Sequence, residues 1–235
     1  GLVIKNQFPP HTTRDKIKVV DSLKAEDIYD IIFVVARYSQ LNEVIPILNQ
    51  NSSAYIVLVG NNVSAKECAR ALPNKKVLFA FSSSAGHREN DKVVSINMSK
   101  MTIGSLDGSR EHEPLLQEVF AGMKYKLTYC NYMGDWLLTH AAFVLPICYA
   151  CYYTEGNLKK IKKDEAFLNK MIDATIEAYD ALNAIGCQIL PEGDYEYVTE
   201  RKKFMKFLKL TSATFLGKIM ASDHAMNSVD EMTEL

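Results

Sequence analysis

The sequence predicts an α/β half joined to an all-helical half, and three observations carry that reading. The first is the stretch from Tyr29 to Asn62, which opens with the apolar, mostly β-branched run Ile31-Ile32-Phe33-Val34-Val35-Ala36. A run apolar on both faces belongs in a sheet covered on both sides, which usually means a parallel one. Leu41, Val44, Ile45 and Leu48 then recur at helical spacing, and Tyr55-Ile56-Val57-Leu58-Val59 gives a second buried strand ending at Gly60-Asn61-Asn62. Such a strand–helix–strand unit places its ligands outside the carboxyl ends of the strands, at Arg37 to Gln40 and at Gly60 to Asn62. The second observation is a third buried run, Val77-Leu78-Phe79-Ala80-Phe81. The third is a change of composition after Asn131, beyond which every pattern reads as helix.

In chain order, Gly1-Leu2-Val3-Ile4 reads as an apolar stub, Ile17-Lys18-Val19-Val20 as a short strand, and Leu23 to Asp27 as a turn. Ser64 to Leu72 is a short helix begun by a serine cap. Ser82 to Arg88 reads as a small-residue loop ending in His87 and Arg88. Those two are either anion-binding groups or solvated loop cations. Lys92 to Met98 and Met101 to Ile103 look like two strands of a hairpin. Leu106-Asp107-Gly108 is a turn, Glu113 to Lys124 a helix, and Leu127 to Cys130 a last short strand.

The helical half starts with Tyr132 to Tyr153. This run has the length of a membrane span, but Asp135 and His140 fall inside it and Pro146 interrupts it. Each ionisable group in a bilayer costs roughly 2.5–3.5 kcal/mol, so a buried helix with no membrane partner is expected. Leu158 to Lys163 is a lysine-rich solvated turn. Asp164 to Ile185 is an amphipathic helix striped by Phe167, Met171, Ile172, Ile176, Tyr179 and Leu182, stopped by Gly186. Tyr197 to Leu210, Thr211 to Met220 and Asp223 to Leu235 read as further helices.

The chain has 235 residues, 48% apolar and 23% charged, which is enough to bury a sizeable core. A net charge of −1 gives no electrostatic reason for a nucleic-acid partner. Five cysteines, at 68, 130, 148, 151 and 187, with no signal peptide ahead of them, predict a reduced, cytoplasmic setting. Cys148-x-x-Cys151 lacks the second ligand pair that zinc requires, so core cysteines and no metal are expected.

Six stretches, in their order and spacing, resemble the ketopantoate reductase (2-dehydropantoate 2-reductase) family. They are YDIIFVVARYSQ, VLVGNN, FAFSSSAGHREN, TIGSLDG, GDWLLTHAAFVLPI and HAMNSVDEMTEL. The resemblance implies a Rossmann-type NADP-binding domain over residues 1–130 and a helical domain over 131–235 that also forms homodimers. It implies NADPH-dependent reduction of a 2-keto acid such as ketopantoate, within pantothenate biosynthesis. It also implies that Arg37 and Gln40 lie near the cofactor phosphates, Asn61 near the nicotinamide and substrate, and Glu231 at the substrate hydroxyl. Three matches fail. The lysine that acts as general acid in the family is Leu138 here, and two asparagines on the same stripe are Ala142 and Pro146. Leucine neither donates a proton nor stabilises an alkoxide.

His140 does not replace that lysine, because positions 138 and 140 lie about 200° apart around a helix. A packed core histidine is the expected role. The family also begins with a strand, a G-x-G-x-x-G turn and a helix that seat the pyrophosphate. This chain starts where that unit has already ended, which makes its Rossmann-type sheet incomplete. Two explanations stay open, a piece of a longer protein or a truncated homologue. Either way, weak or absent NADP binding is expected of the chain as written. A catalytically silent homologue, acting as a binding or dimerisation module, is the alternative. On the residues alone, Arg37 is a snorkelling sheet-end cation, Asn61-Asn62 a left-handed turn and Glu231 an exposed helix residue.

Overall fold

The computed structural model describes residues 2–7 and 9–213, in two compact units that span 1–134 and 135–235. The first unit is a seven-stranded mixed sheet with helices. Its strands are β1 (Leu2–Gln7), β2 (Pro10–Asp15), β3 (Ile32–Val35), β4 (Tyr55–Val59), β5 (Lys76–Glu89), β6 (Lys92–Gly104) and β7 (Lys126–Tyr129). Between them lie α1 (Leu41–Gln50), α2 (Ala65–Arg70) and α3 (Glu113–Val119). The order across the sheet is β2-β1-β6-β5-β4-β3, with β7 also on β6.

The predicted parallel unit is present. β3, β4 and β5 run parallel, with Val35 opposite Val59 and Val59 opposite Ala80. The apolar runs follow from burial on both faces, for Ile56, Val57 and Leu58 of β4 are all 0% exposed. One face, carrying Val57, Val59, Leu78, Ala80, Met101 and Ile103, packs with Leu116 of α3. The other carries Ile56, Leu58 and Phe79, which are also buried.

The rest of the sheet departs from the sequence expectation. Gly1 to Ile4 is no stub: residues from Leu2 onward form β1, which pairs antiparallel with β2 and parallel with β6. Ile17 to Val20 is not a strand, and Ile17, Val19 and Val20 are exposed. Leu23 to Asp27 does turn, closed by the Lys24 N–H donating to Asp27 Oδ2 at 2.9 Å.

Ser82 to Arg88 is not a loop but the second half of β5, paired antiparallel with β6. Small residues suit that ladder. Ser82 and Ser84 hydroxyls bond each other at 2.9 Å, Ser82 bonds Tyr125 and Ser84 bonds Asn97. A Cβ at Gly86 would run into the Val94 carbonyl, so only glycine fits there. The two short strands predicted over 92–103 are one continuous strand, β6. It bulges between its pairings with Ser82 and Ser84, where Ser99 takes φ +50. That bulge is where β6 changes its outer partner from β1 to β7. α3 stops at Val119, short of the predicted Lys124, and Gly122 beyond it takes φ +75.

The second unit is helical: α4 (Met133–Tyr153, beginning at the boundary), a 3-10 segment (Leu158–Lys163), α5 (Glu165–Ala184), α6 (Asp194–Thr199) and α7 (Arg201–Ala213). α5 starts where Asp164 Oδ1 accepts the Phe167 N–H at 2.9 Å. It ends in a Schellman motif, with Cys187 N–H donating to Leu182 O, Gly186 N–H to Asn183 O, and Gly186 at φ +80. The helix predicted over Tyr197 to Leu210 is two, because the chain leaves helical geometry at Glu200 (ψ 71). Thr211 to Ala213 belong to α7, and the helices expected beyond lie outside the described residues.

α4 is long and apolar enough to cross a membrane by length and composition. Its Ala142, Ile147, Ala150 and Cys151 pack into a cluster with Leu168, Ile172, Tyr179, Phe204 and Leu208, and 39% of its apolar window is buried. None of the five cysteines is in a disulfide, and burial pushes the Cys151 thiol up to about 12, leaving it a small inert core group.

Candidate functional site

The tips of β3 and β4 are neighbours because the two strands run parallel and in register. One step beyond the Val35–Val59 pair, Ala36 stands beside Gly60, whose missing Cβ would sit 3.7 Å from the Ala36 carbonyl oxygen. Gly60 takes φ +144, a conformation that side chains disfavour, and its N–H donates to Ala80 O at 2.9 Å. Glycine therefore lets β4 turn sharply between its two flanking strands, delivering Asn61 and Asn62 at the tip.

The two asparagines do different work. Asn62 is buried and satisfies itself locally, donating to Leu58 O at 3.3 Å while its N–H donates to Gly60 O at 3.0 Å. Asn61 is half-buried, and its Oδ1 is a buried oxygen with no hydrogen-bond partner. An unpaired buried carbonyl costs about 1–3 kcal/mol, so such an atom in a native fold calls for a reason.

On the adjoining tip Arg37 is exposed and extended, followed by a single 3-10 turn, Tyr38–Gln40, that leads into α1. The Gln40 carboxamide closes this turn: its Oε1 accepts the Arg37 N–H at 3.0 Å while the Gln40 N–H donates to Arg37 O at 3.0 Å. Gln40 thus shapes the backbone that presents Arg37. The turn is fastened to the other tip by the Tyr38 hydroxyl, which donates to Ser64 Oγ at 2.5 Å. Ser64 precedes α2 but makes no side-chain cap, contrary to the sequence expectation. Neither Tyr38 nor Ser64 stands out in the sequence as a site residue. Only the register of the two strands brings them together.

Arg37, Gln40 and Asn61 therefore gather at one end of the parallel strands, while Glu231 lies outside the described residues. The site implied by the resemblance is one for a nicotinamide dinucleotide. The tips fit such a group in two respects, a buried acceptor at Asn61 and an exposed cation at Arg37.

The helix stripe in the second unit is different in kind. Leu138 is half-buried and Ala142 buried. His140 stacks on Trp136, ring centroids 5.0 Å apart and planes 9° from parallel. Burial pushes its imidazole down to about 4, so it is neutral near pH 7. The stacking describes a packed but half-buried histidine.

The fold and these tips define a class, a mixed α/β sheet of Rossmann type followed by a helical region. No protein-family model matches the chain, and no curated protein matches it. Among solved structures it is similar to 2-dehydropantoate 2-reductase from Porphyromonas gingivalis, with a TM-score of 0.69 at 13% identity. That alignment covers 99% of this chain and 82% of that one. A dimeric ketopantoate reductase from Staphylococcus aureus gives a TM-score of 0.66 at 13% identity, over 88% of this chain and 68% of that one. A ternary complex of D-mandelate dehydrogenase with NADH and anilino(oxo)acetate gives 0.65 at 10% identity, over 100% and 78%. The fold is that of the ketopantoate reductases.

Proposed function

We propose that the chain is a divergent ketopantoate reductase-like protein. Its strand tips take NADP(H), and it acts on a 2-keto acid of the ketopantoate kind, yielding the 2-hydroxy acid. The observation that carries this reading is the unpartnered, buried Asn61 Oδ1 at the carboxyl end of a parallel strand, beside a tip that presents Arg37. A nicotinamide cofactor supplies the hydride for such a reduction. Asn61 offers its oxygen to a carboxamide or hydroxyl donor, Arg37 offers its guanidinium to a phosphate, and Gln40 holds the Arg37 turn in shape. Glu231 holds the substrate hydroxyl in this reading. A cytoplasmic homodimer is the proposed state, in keeping with five cysteines outside any disulfide and with the dimeric Staphylococcus aureus enzyme of the same fold.

One observation favours a second reading, a catalytically silent homologue that binds without turnover. Leu138 stands where the resemblance implies the general acid, and general acid–base groups contribute about 10²–10⁴-fold to rate. Parallel assays separate the two. NADPH oxidation with ketopantoate supports the reductase reading. NADPH binding without oxidation supports the silent one. Absence of both, in this chain and in a chimera carrying a G-x-G-x-x-G strand–turn–helix ahead of residue 1, removes the dinucleotide reading altogether.

A further inference from the structure

The two tips are not independent loops. Tyr38, in the turn that presents Arg37, donates its hydroxyl to Ser64 Oγ, three residues beyond Asn61, in a part-buried hydrogen bond of 2.5 Å. Two features mark this bond as more than local packing. A serine ahead of a helix ordinarily spends its oxygen on the first-turn N–H groups, and Ser64 does not: α2 has no side-chain cap. The hydroxyl oxygen is instead used across 26 residues of sequence, on Tyr38. Within each turn the chain closes on itself, Gln40 on Arg37 and Asn62 on Gly60. Among the hydrogen bonds described at these tips, the side-chain link from one turn to the other is this one.

We propose that Tyr38 and Ser64 are positioning residues, a tie that fixes the spacing between Arg37 and Asn61 so that a nicotinamide dinucleotide meets both. This rests on the functional reading above. The alignment in the sheet ends at Val35 and Val59, and beyond it the Gly60–Ala36 approach and this tie bring the two tips together. A tether between two loop groups is the kind of support that ligand-contacting side chains require to keep their geometry within about 0.5 Å.

The test uses Ser64→Ala, Ser64→Thr and Tyr38→Phe in the whole chain, with amide hydrogen exchange and NADPH affinity as readouts. Loss of one hydrogen bond changes local opening by about fivefold. Ser64→Ala is expected to speed exchange at Arg37 and Gln40, in the turn it does not belong to, while Tyr38→Phe speeds exchange at Asn62. Amides of Val57 and Leu58 stay unchanged, and Ser64→Thr, which keeps a hydroxyl, restores protection. Unchanged exchange at Arg37 and Gln40 in Ser64→Ala, together with unchanged exchange at Asn62 in Tyr38→Phe, overturns the tie. If wild-type protein takes no NADPH yet the cross-turn response is present, the functional reading falls and the tie stands. If NADPH binds wild type, Ser64→Ala and Tyr38→Phe equally, the tie does not position the site and this inference falls.

Discussion

The strand tips of the first unit and the α4 stripe of the second make an instructive contrast. At the tips, polar groups are kept even where they are costly: Asn61 leaves an oxygen buried without a partner, and Ser64 forgoes its helix cap. On α4, positions that the reductase resemblance fills with a lysine and two asparagines hold Leu138, Ala142 and Pro146. Ala142 there is part of the hydrophobic core. On the proposed reading the tips supply binding groups while α4 carries no proton donor at Leu138, so binding geometry and proton chemistry are separable in one fold.

The largest expected effect tests that separation on the helix side. Leu138→Lys, in a chimera with a G-x-G-x-x-G strand–turn–helix ahead of residue 1, is expected to raise NADPH oxidation by ketopantoate about 100-fold or more over the same chimera with Leu138. Equal rates in the two chimeras would show that the apolar stripe does not limit the reaction.

Acid sensitivity sharpens the same contrast. With His140 pushed from 6.5 to about 4 by burial, the unfolded chain holds a proton between those pH values that the folded chain does not. Stability therefore falls as pH drops from about 6.5 to about 4, by up to about 3 kcal/mol at 1.36 kcal/mol per pH unit. Urea midpoints measured across that window are expected to flatten in His140→Phe. A smaller slope remains from His112 in the first unit, which burial also pushes down.

The smallest effect concerns a second orphaned atom. The Tyr179 hydroxyl is buried without a partner in the helical core, and burial raises its pKa. Tyr179→Phe removes the oxygen and keeps the ring, so it is expected to stabilise the chain by about 1 kcal/mol in denaturant melts. The same logic applied at Asn61 predicts that Asn61→Leu folds as well as wild type and loses dinucleotide affinity. A tip residue would then trade stability for binding, whereas Tyr179 trades it for nothing that the structure shows.

What the sequence made legible follows the strength of its local signals. The run at Tyr55 is apolar on both faces because β4 is covered on both, whereas β3 is an edge strand with Val35 80% exposed and is marked by its β-branched residues; together the two runs mark the tips. Ser82 to Arg88 was not. Its hydroxyls and glycine look like a loop but satisfy a bulged antiparallel ladder, in which Ser82 faces Met101, Ser84 faces Asn97 and Gly86 faces Ser95. β1 was equally hidden, since its partners include β6, some ninety residues on. Arg37, Gln40 and Asn61 emerged from strand ends and a resemblance. Tyr38 lies inside a strand tip that the sequence marks and Ser64 reads as a helix cap, but nothing in the sequence pairs them, for their link is a distance across two turns.

Saturation-transfer NMR with NADPH, which reads weak binding, tests the account most directly when wild type is compared with Asn61→Leu. The account predicts a nicotinamide-proton signal from wild type that is lost in Asn61→Leu while the variant keeps its melting temperature. An equal signal from both proteins, or none from wild type, contradicts it.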